Sequence, residues 1–389
     1  MPSLKSLQVH RVRIPLLGHF TTAVRSASEL ETVLVQAVDD DGRQGWGEAP
    51  VSRVTGVTTE QVAASVEGPL WALVKGVDLA EPEPALERLE RSPEPAAARM
   101  AVDCALHDLA AQHRELSLAH YLAQSMTRFP AQPGAARTAV APLAGVPTDM
   151  TLSIAGPEEL ATAAAGHVSN GFDTLKIKLG SRGDAVAALR AVRAAVGSAV
   201  TLRVDANQAF QPAEAVRVIR ALEDAGLAVE LVEQPVAAGD WQGLAEVSAA
   251  VGTPVMADES VRTLADLQTL LRYRAAPMIN IKLAKTGGLH HARRLLERAT
   301  AEGIGVVIGC MLESPVGIAA AASLAAIMGA GIDAGAGVGA GAGRDQDLDG
   351  GLWLRSSPVT GGARYEGKVI RLASGPGLGI GALSPLPAS

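Results

Sequence analysis

The chain has 389 residues, enough for one large domain and a smaller one, and 48% of them are hydrophobic, which provides an ample core. Its formal net charge of −7 argues against a nucleic acid or an anionic membrane as the main partner. Cys104 and Cys310 have neither the number nor the spacing of a disulfide framework or a zinc site, so we expect a reducing, cytoplasmic location.

The first part of the chain has the pattern of an α+β domain. Residues 1 to about 50 alternate apolar and polar side chains, which predicts antiparallel strands. Residues 60–125 change to helical spacing, and the segment AVDCALHDLAAQ is predicted to form an amphipathic helix. Strands followed by helices, without strict alternation, indicate an α+β domain over residues 1–130.

From about Thr151, short β-rich segments alternate with helical stretches. Seven segments recur at intervals of roughly 25 residues: TLSIAG, TLKIKLG, TLRVDANQ, VELVEQP, PVMADES, MINIKLA and VVIGCML. Repeated βα units of this kind predict a parallel barrel or a doubly wound sheet. Polar residues gather at the carboxyl ends of the segments, where a (β/α) barrel has its active site, so we favour a barrel over residues 131–350.

Three further segments have simpler interpretations. The nearly uncharged stretch from Gly317 to Gly343 is mostly Ala and Gly, which favours a buried helix and a Gly-rich loop over a membrane span. His290 and His291 lie in a polar helical stretch and are predicted to be exposed. Residues 351–389 are predicted to leave the barrel and return to the first domain.

Six charged residues lie in or directly after the predicted strands: Lys176, Lys178, Asp205, Glu233, Asp258 and Lys282. Residues two apart on a strand face the same side, so the first two lysines point together. The three carboxylates are 28 and 25 residues apart and come from successive βα units. Oxygen ligands of this kind suit a hard cation such as Mg²⁺. Lysines from the strands before and after are predicted to flank the metal on opposite sides.

This set of residues predicts removal of a proton α to a carboxylate. A metal stabilises the enediolate that forms, and a positioned lysine takes the proton. An ordinary lysine, with a pKa of about 10.4, is a poor base at neutral pH, and a second cation nearby lowers that value, which gives Lys176 a role beside Lys178. Any one such residue is usually solvated or a helix cap, but six at equivalent strand ends favour a catalytic site.

The same motifs resemble the enolase superfamily, in its muconate-lactonizing-enzyme subgroup. The matching segments are LKIKLG, VDAN, VEQP, ADES and NIKLAKTGG, together with AVDCALHDL, GWGEA and PGLG, and they cover nearly the whole chain. The resemblance implies an α/β fold, a modified TIM barrel (β/α)7β with an α+β capping domain made from both chain ends. It also implies Mg²⁺ on Asp205, Glu233 and Asp258, with Lys178 and Lys282 as the acid/base pair.

Within this subgroup the chain is most similar to dipeptide epimerases. Asp347 and Asp349 resemble the Asp-x-Asp motif that holds the free α-ammonium group of the substrate. Arg25 resembles a capping-loop residue that favours an anionic side chain. The other positions that match substrate-binding residues are Thr151, Lys176, Cys310 and Met311. A Gly/Ala tract at 335–343 precedes the acidic pair and leaves its register open.

The resemblance therefore implies a Mg²⁺-dependent dipeptide epimerase, with L-Ala-D/L-Glu from peptidoglycan turnover as substrate and a two-base 1,1-proton transfer as mechanism. The alternatives are an o-succinylbenzoate synthase, a muconate cycloisomerase or an N-acylamino acid racemase, whose substrates carry no free ammonium group. A non-catalytic scaffold that retained the metal site is the alternative from another class. The expected partner is a small molecule, without nucleic acid or membrane, and relatives imply a homo-oligomer.

Overall fold

The structure is a computed structural model that describes residues 2–22, 26–125, 142–143, 145–180, 183–328 and 344–384. Arg25 and the Gly/Ala tract at 335–343 lie outside these residues. The amino-terminal strands are β1 (Leu4–Thr21), β2 (Ser26–Asp39) and β3 (Gln44–Val51), which form an antiparallel sheet in that order. The helices that follow are α1 (Thr59–Ser65), α2 (Trp71–Val74), α3 (Glu83–Arg91), α4 (Ala96–His113) and α5 (Leu118–Ser125), with a π-helical turn at Val66–Leu70.

Helix α4 contains the AVDCALHDL segment and is buried on all its faces. Between Ala97 and Ala111 every residue except Arg99 is buried, so the predicted amphipathic character is wrong. One face packs so closely on β3 that a Cβ atom on Gly47 would lie 1.9 Å from the carbonyl oxygen of Ala101. Asp103 and Asp108 of α4 are buried as well, and they accept hydrogen bonds from backbone N–H groups of other segments.

Seven parallel strands follow, and each corresponds to one predicted segment. After a short strand β4 (Gly145–Pro147), they are β5 (Met150–Leu152), β6 (Thr174–Lys178), β7 (Thr201–Asp205), β8 (Val229–Glu233), β9 (Val255–Ala257), β10 (Met278–Lys282) and β11 (Gly305–Gly309). Neighbours in the sheet are neighbours in the chain. The intervening helices are α6 (Pro157–Ser169), α7 (Ala185–Val196), α8 (Pro212–Asp224), α9 (Trp241–Ala250), α10 (Leu264–Tyr273), α11 (Leu283–Thr286) and α12 (Leu289–Ala301), and α13 (Pro315–Met328) follows β11.

Two residues close this sheet on itself. Asp347 forms a parallel bridge with Gly309 at the end of β11, and Gln346 forms one with Thr148 just before β5. The backbone N–H of Asp347 donates to Ile308 O at 3.0 Å, and that of Asp149 donates to Gln346 O at 2.8 Å. The chain therefore occupies the eighth position of the barrel here, and the modified barrel with its α+β capping domain is confirmed.

The carboxyl-terminal residues form short strands around the barrel. They are β12 (Val359–Gly361), β13 (Arg364–Glu366), β14 (Val369–Arg371) and β15 (Ile380–Leu383). β14 pairs with β13 and β4, and β12 pairs with β15. Between these strands the chain contacts the first domain, because Leu118 N donates to Gly377 O and Leu378 N donates to Asp108 Oδ1, both at 2.8 Å.

Carboxylates from the first domain cap two barrel helices. At the start of α13, Glu48 of β3 accepts hydrogen bonds from the backbone N–H groups of Ser314 and Gly317. At the start of α12, Asp103 of α4 accepts the N–H of Leu289 at 2.5 Å. Such acceptors satisfy backbone donors that a helix leaves unpaired at its first turn and oppose the positive end of its dipole.

The same contacts explain why the prediction for His290 and His291 is wrong. Both are buried, at 6% and 7% exposure, because the first turn of α12 lies against α4. Helix α13 is buried along its length, as predicted for the charge-free stretch, whereas the Gly-rich part of that stretch lies outside the described residues. Among the described helices, none has the length and apolar character needed to span a bilayer.

Candidate active site

The six charged residues meet at the carboxyl end of the barrel strands. Lys176 and Lys178 lie on β6, Asp205 ends β7, Glu233 ends β8, Asp258 follows β9 and Lys282 ends β10. The strand register places Lys178 beside Asp205 and Asp205 beside Glu233. All six are buried, with at most 7% of their surface exposed. The sequence-predicted cluster is therefore brought together in space.

Ion pairs connect these lysines and carboxylates. Lys178 Nζ donates to Asp205 Oδ2 at 2.5 Å, and Lys282 Nζ donates to Asp258 Oδ2 at 3.0 Å. Lys176 Nζ lies 3.8 Å from Asp205 and 3.6 Å from Glu233, so it bridges two of the acids. Lys282 Nζ also lies 3.6 Å from Glu233 Oε1. Each carboxylate thus has at least one ammonium group beside it.

Burial and neighbouring charge shift the pKa values of these groups in opposite directions. Burial and the nearby charge of Asp205 raise the pKa of Glu233 to about 8. Burial also acts to raise the pKa of Asp258, but Lys282 and Lys285 hold it well below its ordinary value. For Lys282, burial lowers the pKa, and Asp258 and Glu233 outweigh that effect and raise it well above its ordinary value. In this arrangement Lys282 is an ammonium group paired with a carboxylate.

The backbone after two of the strands adopts a left-handed conformation. Asn207 has φ 42° and Gln234 has φ 35°, values that non-glycine residues seldom adopt. Asn207 N donates to Asp205 Oδ1 at 2.9 Å, which holds that carboxylate in place. Gln234 Oε1 accepts the N–H of Asp258 at 2.8 Å, so it joins the ends of β8 and β9. Unusual backbone of this kind concentrates at functional sites.

The donor atoms of Asp205, Glu233 and Asp258 fit a hard divalent cation. All are carboxylate oxygens from adjacent strands, and Glu233 Oε2 is buried without a hydrogen-bond partner among the described residues. Lys176 and Lys282 form ion pairs with these carboxylates. A second group of acids, Asp149, Asp347 and Asp349, has oxygens within 4.8 Å of one another and pairs with Arg203 and Lys176. The first group is distinguished by its position, at or just after the carboxyl ends of three adjacent strands.

Asp347 and Asp349 reach the same site from the closing segment of the barrel. Asp347 Oδ1 accepts a hydrogen bond from Lys176 Nζ at 2.5 Å, and its Oδ2 accepts one from Asn280 at 3.0 Å. Asp349 Oδ2 accepts the backbone N–H of Thr151 at 2.8 Å and the indole N–H of Trp353 at 3.2 Å. The open question of their register is thereby answered: both carboxylates face the cluster.

A cavity joins this cluster to the capping domain. Its walls include Lys176, Lys178, Asp258, Lys282, Asp347, Asp349, Thr151, Cys310, Met311 and Gly350 from the barrel, and Phe20, Thr22 and Val54 from the first domain. The end of β1 is held over the barrel by Ile154 N, which donates to Thr21 O at 3.1 Å. Of the residues predicted to bind substrate, all except Arg25, which lies outside the described residues, line this cavity.

Several residues that support the site were not predicted from the sequence. Asn280 donates to Glu233 at 2.9 Å and to Asp347, and Lys285 lies 2.5 Å from Asp258 Oδ1 while donating to the carbonyl of Asn280 at 2.8 Å. Arg203 is buried and binds Asp149 at 2.9 Å. The alternation of side chains along a strand is a usable signal, because Asn280 and Arg203 face the same side as Lys282 and Asp205.

Both parts of the chain match known protein families. Residues 5–123 match the mandelate racemase/muconate lactonizing enzyme N-terminal domain, and residues 159–382 match the enolase C-terminal domain-like family. The chain belongs to the enolase superfamily. Among its relatives in the superfamily, an L-Ala-D/L-Glu epimerase of Bacillus subtilis (strain 168) is 38% identical over 378 residues, which cover 96% of this chain and 95% of the relative.

Two solved structures of superfamily members show the same fold. A substrate-liganded complex of the L-Ala-D/L-Glu epimerase from Bacillus subtilis has a TM-score of 0.88 and 36% identity, covering 98% of this chain and 99% of that one. A dipeptide epimerase from Enterococcus faecalis V583, in complex with Mg and the dipeptide L-Leu-L-Tyr, has a TM-score of 0.85 and 34% identity, covering 98% and 100%. Because the first is an L-Ala-D/L-Glu epimerase and the second contains L-Leu-L-Tyr, membership in the superfamily does not by itself name the substrate side chains.

Proposed function

We propose that this isomerase is a Mg²⁺-dependent dipeptide epimerase that acts on L-Ala-D/L-Glu. The observation that carries the proposal is that an acidic pair, Asp347 and Asp349, lines the same cavity as Lys178 and Lys282. Two carboxylates beside a reaction site are suited to bind the free ammonium group of a dipeptide. Relatives with the same fold that carry the name L-Ala-D/L-Glu epimerase support this choice of substrate.

In this proposal Asp205, Glu233 and Asp258 hold the metal. Their buried oxygens come from adjacent strands, and one of them has no hydrogen-bond partner among the described residues. When bound, Mg²⁺ supplies positive charge that stabilises an enediolate formed from the substrate carboxylate. The support from relatives is that the Enterococcus faecalis enzyme contains Mg in its structure.

The two lysines would transfer the proton. Lys178 comes from β6 and Lys282 from β10, which lie on either side of the three strands that carry the acids. One amine takes the α-proton, the electrons of the C–H bond move into the substrate carboxylate, and the other lysine returns a proton to the opposite face. Lys176 pairs with Asp347 and lies two residues before Lys178 on β6, so it would place a second cation beside Lys178. Inversion at the α-carbon needs no further acid or base.

The remaining substrate contacts follow from the cavity wall. Thr151, Cys310 and Met311 line it, and its acidic pair would receive the ammonium group of the L-Ala residue. We assign Arg25, on sequence grounds, to the anionic side chain of the Glu residue, because a guanidinium group pairs well with a carboxylate. A dipeptide with both an ammonium group and an anionic side chain offers a partner to the acidic pair and to Arg25.

Proton NMR in D₂O tests the proposal. With L-Ala-L-Glu, enzyme and Mg²⁺, we expect loss of the Glu α-proton signal and appearance of L-Ala-D-Glu. N-acetyl-L-Ala-L-Glu is the matched control, because it lacks only the ammonium group and should exchange far more slowly. If a folded, metal-bound protein gives neither deuteration nor D-Glu product, the proposal is wrong.

The alternatives make different predictions in the same experiment. An N-acylamino acid racemase would prefer the acetylated compound, whereas an o-succinylbenzoate synthase or a muconate cycloisomerase would act on neither. A non-catalytic scaffold would bind Mg²⁺ without any exchange. The acidic pair in the cavity favours the dipeptide over these substrates, since they carry no cationic group for it to bind.

A further inference from the structure

The side chain of Asn280 lies between a proposed metal ligand and the acidic pair. It is on β10, two residues before Lys282, and it is fully buried. Its Nδ2 atom donates to Glu233 Oε1 at 2.9 Å and to Asp347 Oδ2 at 3.0 Å. Among the described residues it does not belong to the cavity wall, so an effect of Asn280 on the reaction has to act through its neighbours.

Lys282 faces the same two oxygen atoms that Asn280 binds. Its Nζ atom lies 3.6 Å from Glu233 Oε1 and 3.6 Å from Asp347 Oδ2. A separation of 3.6 Å is too long for a hydrogen bond, whereas Lys282 does donate one to Asp258 Oδ2 at 3.0 Å. The amide of Asn280 thus supplies the hydrogens that the ammonium group would otherwise donate to these two oxygens.

The orientation of the Asn280 amide is set by the two carboxylates. In the reverse orientation Oδ1 would face two oxygens that offer it no hydrogen. In the observed orientation both Nδ2 hydrogens are used, and Oδ1 is buried without a hydrogen-bond partner among the described residues. A buried acceptor without a partner is destabilising, which weighs against packing alone as the reason for an amide at this position.

Gly309 on the neighbouring strand β11 leaves room for both side chains. It pairs with Lys282 in the strand register. A Cβ atom on Gly309 would lie 2.4 Å from Asn280 Oδ1 and 2.8 Å from Lys282 Cε, closer than Cβ atoms come to such neighbours. The amide and the lysine stem therefore lie side by side against bare backbone, and each limits where the other can move.

We propose that Asn280 is a positioning residue that keeps Lys282 from forming ion pairs with Glu233 and Asp347. Lys282 and Asp258 both line the cavity, whereas Glu233 is not among the described residues of its wall, so an ion pair with Glu233 would draw the amine away from the substrate. An ion pair with Asp347 would occupy an oxygen that the proposed function gives to the substrate ammonium group. The inference rests on the proposed two-base mechanism and names the residue that leaves one of its bases available.

Deuterium exchange at the Glu α-carbon tests this role. NMR follows it separately from L-Ala-L-Glu and from L-Ala-D-Glu at saturating Mg²⁺, and Lys282→Ala identifies the stereoisomer whose exchange needs Lys282. Asn280→Leu is similar in size and donates no hydrogen bond. We expect it to slow exchange from that stereoisomer about tenfold or more, as for residues that orient the ligands of a metal, and to slow the other much less. Asn170→Leu, the same change at the exposed end of α6, should alter neither rate.

A crystal structure of Asn280→Leu gives a measurement that does not depend on activity. We expect Lys282 Nζ to move from 3.6 Å to hydrogen-bond distance of Glu233 Oε1 or Asp347 Oδ2. Asn280→Ser retains one donor and should slow exchange from the Lys282-dependent stereoisomer less than the Leu variant does. If thermal unfolding shows that the Leu variant does not fold, the Ser variant carries the comparison with the wild type.

Equal loss of exchange from both stereoisomers overturns the proposal, because a defect in folding or in Mg²⁺ binding acts on both bases alike. Unchanged exchange overturns it as well, as does a crystal structure in which Lys282 has not moved. A wild type that exchanges neither stereoisomer removes the proposed function itself. Loss confined to the stereoisomer that depends on Lys178 leaves that function standing and overturns the role of Asn280 alone.

Discussion

Each proposed acid/base lysine is bound to a proposed metal ligand. Lys178 donates to Asp205 and Lys282 donates to Asp258. A divalent cation needs the same carboxylate oxygens, so it competes with the lysines for them. Binding of a cation to the carboxylate oxygens of Asp205 or Asp258 is therefore coupled to the release of Lys178 or Lys282 from its ion pair.

Replacing either lysine should separate the two halves of the reaction. Lys178→Ala and Lys282→Ala are each expected to lower kcat for epimerisation by about 10²–10⁴-fold, the usual contribution of a positioned acid or base. Each variant should still exchange the α-proton of one stereoisomer, and the two variants should differ in which one. NMR in D₂O with L-Ala-L-Glu and L-Ala-D-Glu measures this, with the exposed Lys75→Ala as control. Normal epimerisation by either variant contradicts the two-base mechanism.

A buried acid outside the cavity wall predicts a pH-dependent stability. Burial and the nearby charge of Glu48 raise the pKa of Glu313 to about 8, whereas in an unfolded chain a glutamate has a pKa of about 4.3. Between these values the folded protein holds a proton that the unfolded chain has released. The free energy of unfolding attributable to Glu313 is therefore largest below about pH 4 and falls as the pH rises to about 8.

Glu313→Gln removes this contribution, because its amide cannot release the proton. Urea unfolding at pH 5 and pH 8 should show the wild type losing on the order of 2–4 kcal/mol more than the variant over this interval. The hydrogen bond that Glu313 Oε1 accepts from Met311 N is preserved by the glutamine. Parallel pH profiles for the two proteins would show that Glu313 is ionised in the folded state at neutral pH.

At the scale of elements, the barrel strands and helix α4 are predictable, but the burial of α4 on all its faces is not. A buried parallel strand is a short run of β-branched and other apolar residues, and its ends are marked by the polar residues of the site. In α4, the positions of Asp103 and Asp108 in the sequence are typical of a solvent-exposed helix face, although both residues are buried. Their partners are backbone N–H groups of residues 289 and 378, which no local pattern reveals.

The close packing of β3 against α4 gives a prediction for Gly47. A methyl group there would overlap the carbonyl of Ala101, so Gly47→Ala should lower the free energy of unfolding by about 1–3 kcal/mol or more. Gly166→Ala in α6 is the matched control, because its Cβ would meet nothing within 4 Å and alanine favours a helix by about 0.5–1 kcal/mol. Urea unfolding of both variants measures the difference. A Gly47→Ala protein as stable as the wild type would show that α4 moves away from the sheet without cost.

At the scale of the whole molecule, the proposed metal and lysine residues could be located from the sequence because strand order carries them to one end of the barrel. The alternation of side chains along β10 also points to Asn280, whereas Lys285 could not be located, because it lies on α11 and contacts Asp258 only through the packing of α11 against the end of β9. The homo-oligomer and the cytoplasmic location stay predictions. Light scattering of the purified protein measures the first.

The carboxylates of Glu48 and Asp103 have a consequence for attempts to divide the molecule. They lie in the first domain, yet they cap helices α13 and α12 of the barrel. A barrel expressed without its first 125 residues would expose the Ala-rich surface of α13 and leave both helix starts open to water. Exchanging the first domain between relatives would therefore need the acceptors and the helix starts to be transplanted together, because the domain that covers the cavity also caps α12 and α13.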